Sequence, residues 1–169
     1  MGAMTGDGFV HFFNEIADMW DLKKLYILKG GSGIGKSTFI KKFVELHKDR
    51  DIVLIYCSSD SGSLDGAVVP DLRVGIVDGT LPHIIDHRYP GLCEEMVDLS
   101  QFINGAKLKK KGISRPQIAM LMAGKQQAYA NASKELKNAK TFHTQLEALY
   151  ADCVDFKKMD LFFNKVMGY

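Results

Sequence analysis

Apolar residues come in short continuous runs in the first half of the chain and at three- and four-residue steps in the second. Phe9, Phe12, Phe13, Ile16, Met19 and Trp20 keep helical spacing, which predicts an amphipathic helix over 8–20 whose aromatic stripe faces a core. Lys24–Lys29 reads as a strand, and Phe39-Ile40-Lys41-Lys42-Phe43-Val44 as part of a helix reaching about His47. After the polar turn Lys48–Asp51, the unbroken run Ile52–Cys57 predicts a strand buried on both faces of a parallel sheet. Residues 58–66 have loop composition, and Leu72–Val77, ending in Asp78, predicts a third strand. Asp86–Gly91 is turn-rich, and Glu94–Phe102 reads as a short helix or an extended piece.

From Pro116 onward a different pattern takes over. Ile118, Met122, Lys125, Tyr129, Ala132, Leu136, Ala139, His143, Leu146, Tyr150 and Cys153 fall on one alternating four-three seam, the spacing of a coiled-coil-like helix. Such a helix extends ~50 Å at 1.5 Å per residue, so it predicts an arm projecting from a small domain. Lys125 and His143 interrupt the seam, which argues for packing on a partner helix over a tight zipper. Phe156, Met159, Leu161, Phe162, Phe163 and Val166 predict a second helix that turns back. The expected division is therefore residues 1–7 as a cloning remnant or disordered start, 8–113 as the core, and 114–169 as a helical arm or hairpin.

One segment carries specific chemistry. Gly30-Gly31-Ser32-Gly33-Ile34-Gly35-Lys36-Ser37-Thr38 fits the phosphate-binding P-loop pattern G-x-x-x-x-G-K-[ST], between a predicted strand and a predicted helix. A helix start offers unpaired N–H groups and a partial positive charge to a polyanion. Glycines let the backbone wrap closely around it. Gly31, Ser32, Gly33, Ile34, Gly35, Lys36, Ser37 and Thr38 are thus the expected nucleotide-binding residues. Lys36 is expected to reach the β- and γ-phosphates, Ser37 to ligate Mg²⁺ through its hydroxyl, and Thr38 to lie near the α-phosphate.

Asp78 closes an apolar strand after this loop, the Walker B arrangement in which a carboxylate helps hold the metal. Ser37 and Asp78 are the expected metal ligands, and Lys36, Asp78 and Asp60 the expected catalytic residues. Asp60 sits in a loop leaving the carboxyl end of a strand, where ligands of open α/β sheets bind. His83 follows Asp78 closely and could contact phosphate, position water or cap a turn. The resulting fold expectation is an α/β, P-loop NTPase-type parallel sheet flanked by helices. Three strands are legible where about five are usual, so a homo-oligomer or a missing second P-loop half is expected to complete the sheet.

Composition narrows the function classes. The 169 residues are 46% hydrophobic and 25% charged, ordinary for one globular domain. A formal net charge of +2 gives no global field for nucleic acid or an anionic membrane. Cys57, Cys93 and Cys153 lack metal-ligand spacing and are odd in number, which fits a reducing, cytoplasmic setting. No apolar run nears the ~20 residues of a membrane span. The one basic patch, Lys107–Lys111 with Arg115, reads as a solvated helix end or loop, with a phosphate-facing lid or a nucleic-acid contact as the rival readings.

Several stretches together resemble a poorly characterised family of bacterial P-loop ATP-binding proteins, whose longer members carry two P-loop halves. They are Tyr26–Gly31, Tyr56-Cys57-Ser58-Ser59-Asp60, Ser63–Gly66 with Val69-Pro70, Ile76-Val77-Asp78-Gly79-Thr80-Leu81-Pro82-His83, and Tyr89-Pro90-Gly91 with Glu94-Glu95 and Val97–Leu99. The resemblance implies ATP as ligand with Mg²⁺, Lys36, Ser37 and Asp78 in the roles above, and Ser59, Asp60, Asp65 and His83 lining the site. This chain ends after one half, which leaves its completeness and its independent hydrolysis of ATP in question.

The leading expectation is a Mg²⁺-dependent ATPase. Gly79 stands where many strong ATPases have a catalytic glutamate, so hydrolysis is expected to be slow or stimulated by a partner. A small-molecule or nucleotide kinase and a non-catalytic, ATP-gated interaction module are the alternatives. GTP is disfavoured because no Asn-Lys-x-Asp motif occurs; Asn164-Lys165-Val166-Met167 lacks the aspartate.

Overall fold

The computed structural model describes residues 1–168. In chain order it comprises β1 (Gly2–Thr5), β2 (Gly8–His11), a 3₁₀ turn (Phe13–Glu15), α1 (Ile16–Met19), β3 (Lys24–Lys29), α2 (Lys36–Leu46), β4 (Val53–Tyr56) and β5 (Leu64–Val69). These are followed by β6 (Val74–Asp78), β7 (Glu94–Asp98), α3 (Gly105–Lys110), α4 (Arg115–Ala151) and α5 (Phe156–Met167). β1 and β2 form an antiparallel hairpin, and the others a five-stranded sheet in the order β4-β5-β6-β3-β7.

The sheet is mixed, which corrects the expectation of a parallel one. β3 pairs in parallel with both β6 and β7, whereas β5 runs antiparallel to β4 and β6. Connection length explains the difference. A parallel crossover needs a dozen residues or more, and neither the 57–63 loop nor the 70–73 turn is long enough. Ile52–Cys57 therefore contributes an edge strand with Tyr56 exposed, where two-sided burial was expected. The strand buried along its whole length is β5, within a stretch whose start reads as loop. Together with β7, β5 supplies from this chain the strands that another chain or segment was expected to add.

Alternation along the strands divides the core into two. Leu25 and Ile27 of β3, Val68 of β5 and Val77 of β6 face one side, with Phe13, Ile16 and Leu22 packed on them. Leu28, Ala67 and Ile76 face the other side, where Ile40 of α2 covers them together with Leu64 and Leu99. Each such buried aliphatic side chain contributes about 1.5–3 kcal/mol.

The helix expected over 8–20 is short. Gly8–His11 is strand, and helical spacing takes effect only where Phe13, Ile16 and Ala17 reach the core. Residues 1–7, expected to be without structure, hold β1, which pairs Ala3 with Val10 and Met4 with Phe9. Gly6-Asp7-Gly8, with φ 108° at Gly8, makes the tight turn between the two strands. This hairpin packs against α4, with Gly6 against the backbone of Lys137. α4 starts at a Ser114 N-cap with Pro116 in its first turn, as the sequence pattern requires, and at 1.5 Å per residue it runs ~55 Å.

Candidate functional site

The loop 30–35 joins the carboxyl end of β3 to the amino end of α2. Its backbone has left-handed or related angles at Gly30, Gly33 and Gly35. Gly35, at φ 99°, is the N-cap of α2, and no side chain caps the first helical amides there. At Gly30, φ 132° is a conformation that residues with side chains rarely adopt, and a Cβ there would also displace the end of the Ile34 side chain. At Gly31, Gly33 and Gly35 an added Cβ would meet open space.

Lys36 fills the centre. Its side chain is buried, and its Nζ donates to the carbonyls of Gly30 at 2.8 Å and Gly31 at 3.0 Å. The Asp78 carboxylate lies 3.6 Å away. A buried ammonium needs such acceptors to offset lost hydration. Asp78 Oδ1 in turn accepts from the Thr80 N–H and hydroxyl, at 2.9 and 2.6 Å. Ser37 Oγ accepts from the Leu64 N–H at 3.0 Å, which joins α2 to the start of β5.

Most of the expected residues share one cleft of about 570 Å³, lined by Ser32, Gly33, Gly35, Lys36, Ser37, Thr38, Asp60 and Asp78; Gly31 lines an adjoining pocket, and Ile34 packs against the core beneath α2. Asp60 is exposed at the rim, where its Oδ1 accepts from the Gly62 N–H and closes its own turn. Asp65 and His83 form a buried pair on the wall, with His83 Nε2 3.2 Å from Asp65 Oδ2. The His83 ring lies 4.6 Å from that of Phe13, and its buried Nδ1 has no hydrogen-bond partner among the described residues. His83 is thus buried against Asp65 in the wall of the cleft. Lys29 secures this wall by donating to the carbonyls of Gly79 and Ile85.

The residues also suit a magnesium ion. Ser37 Oγ and the Asp78 carboxylate both line the cleft, and Mg²⁺ favours a few oxygen ligands supplemented by water and phosphate. Among the described residues no cluster of three or more His, Cys, Asp or Glu forms a metal cage.

Two lining residues come from α4 and were read in the sequence only as seam positions. Lys125 Nζ donates to Ser32 Oγ at 3.1 Å, and Tyr129 is half-buried beside it. The departure of Lys125 from an apolar seam is the local signal that this stretch of the helix faces something polar. The basic residues Lys107–Lys111 and Arg115 line neither this cleft nor the pocket beside it. No family model, curated protein or solved structure matches the chain.

Proposed function

We propose that the chain is a P-loop ATP-binding protein that binds Mg²⁺-ATP at Gly30–Thr38 and hydrolyses it slowly or on stimulation by a partner. The observation that carries this reading is the buried Lys36 ammonium, set between two loop carbonyls and Asp78 at the amino end of α2. The resemblance to the bacterial two-P-loop family adds ATP as the nucleotide. Mg²⁺, when bound, would neutralise charge across the terminal phosphates.

The residues divide the work. The amides of Gly31, Ser32, Gly33, Gly35 and Lys36 hold the phosphates, and Lys36 neutralises the terminal ones. Ser37 and Asp78 supply the metal-facing oxygens. Of the carboxylates on the cleft apart from Asp78, Asp65 is held in one orientation by His83. It is our choice for positioning the attacking water, with exposed Asp60 at the entrance. The contact between Lys125 and the loop favours one second reading, a nucleotide-gated interaction module with α4 as its reporter.

Calorimetric titration of Mg²⁺-ATP and Mg²⁺-GTP into wild type and Lys36→Ala tests the reading. Lys36→Ala is expected to keep its far-ultraviolet circular dichroism and to weaken ATP at least tenfold, about 1.4 kcal/mol. Equal affinity in the two proteins contradicts it.

A further inference from the structure

The nucleotide reading leaves one cation on the cleft without a role. Lys125 makes no ion pair among the described residues; its one hydrogen bond is to Ser32 Oγ. Its Nζ lies 5.6 Å from the centroid of the Tyr129 ring, one turn along the same helix, which favours the course of the side chain toward the loop. The arginines are placed elsewhere. Arg50 pairs with Asp71, Arg73 with Asp21, and Arg88 with Glu15 and Asp18, while Arg115 heads α4 away from the cleft.

Position along the loop gives Lys125 its meaning. A P-loop lysine works at the β- and γ-phosphates, and Lys36 Nζ rests on the carbonyls of Gly30 and Gly31. Ser32 follows directly, so it lies beside the place where Lys36 works, and Ser37 and Asp78, the residues assigned to the metal at the same terminal phosphates, line the same cleft, whereas Thr38 marks the α-phosphate side. Beside Lys125 an apolar pocket of about 330 Å³ runs on from the cleft, walled by Leu81, Pro82, Met122 and Tyr129. Apolar walls lower the local dielectric and strengthen attraction between an ammonium and a phosphate.

We infer that Lys125 is a sensor of the terminal phosphate: its ammonium passes from Ser32 to a γ-phosphate oxygen when a nucleoside triphosphate fills the loop. A diphosphate offers it no such partner. The long helix is thereby latched to the loop by the triphosphate and released when the terminal phosphate leaves. This regulation rests on the nucleotide reading of the same cleft.

Titration of Mg²⁺-ATP and Mg²⁺-ADP against wild type, Lys125→Ala, Lys125→Arg and Lys36→Ala separates the two claims. Lys125→Ala is expected to weaken ATP by about tenfold, the loss of one charge-assisted contact, and to change ADP less than about twofold. Lys125→Arg retains the preference for ATP, and Lys36→Ala weakens both nucleotides. Equal losses for ATP and ADP in Lys125→Ala, or no loss, overturn the sensor while leaving the cleft intact. Failure of wild type to bind either nucleotide overturns the cleft reading, and the sensor with it.

Discussion

At the scale of single residues, His11 ties the β1–β2 hairpin to pH. His11 and His83 pack on the same two rings, Phe9 and Phe13, and His11 Nδ1 accepts from the Phe13 N–H at 3.4 Å. Burial, and then the neighbouring His83, push its pKa below the ordinary value of 6.5. The folded protein therefore keeps His11 neutral at pH values where the unfolded chain protonates it. In that window the unfolded state binds more protons, so stability falls as pH drops below about 6.5. His11→Asn, which keeps an acceptor and does not titrate, should show a smaller loss of Tm between about pH 7.5 and pH 5.5 than wild type. Parallel losses in the two proteins would contradict this role. Residue chemistry was legible from sequence where it is local. Gly30, Gly35, Lys36 and Ser37 act through their neighbours in the chain, so spacing alone places them. The partnership of Asp65 with His83 depends on β5 lying beside β6, which no local pattern encodes.

Secondary-structure elements show the same division. β3 and α2 were legible at nearly their observed bounds because the glycine loop punctuates them and their apolar spacing is clean. β5 was not, since Leu64-Asp65-Gly66-Ala67 follows a run of serine, glycine and aspartate that has loop composition. Its burial comes from having a strand on each side, a property of the sheet and not of the segment. Gly66 is part of that fit: a Cβ there would come within 3.0 Å of the Ile76 carbonyl oxygen and of Val77. Amide hydrogen exchange checks the assignment. The amides of β5 that bond into the sheet should be among the slowest in the protein, as expected for a core strand. Exchange at the rate of an exposed loop over 64–69 would contradict the topology. The 8–20 segment failed in the opposite sense: Phe9 and Phe12 mimic helical spacing while Phe9 pairs with Met4 in a hairpin.

On the scale of the whole molecule, each part of the chain has a place around one loop. The mixed sheet fixes the carboxyl ends of β3 and β6, and so sets Lys36 opposite Asp78. The β1–β2 hairpin underlies α4, and α4 carries Lys125 to Ser32. No described helix is long and apolar enough to cross a membrane, and α4 ranges well beyond the sheet with Leu136, Phe142, Leu146 and Leu149 exposed. All of this converges on one claim, that the backbone of 31–36 is a cradle for phosphate. Amide nuclear magnetic resonance during titration with Mg²⁺-ATP tests it most directly. The N–H signals of Gly31, Ser32, Gly33, Gly35 and Lys36 should move first and furthest, and move little in Lys36→Ala. Signals from that loop unchanged at saturating nucleotide, or changes confined to another face, would contradict it.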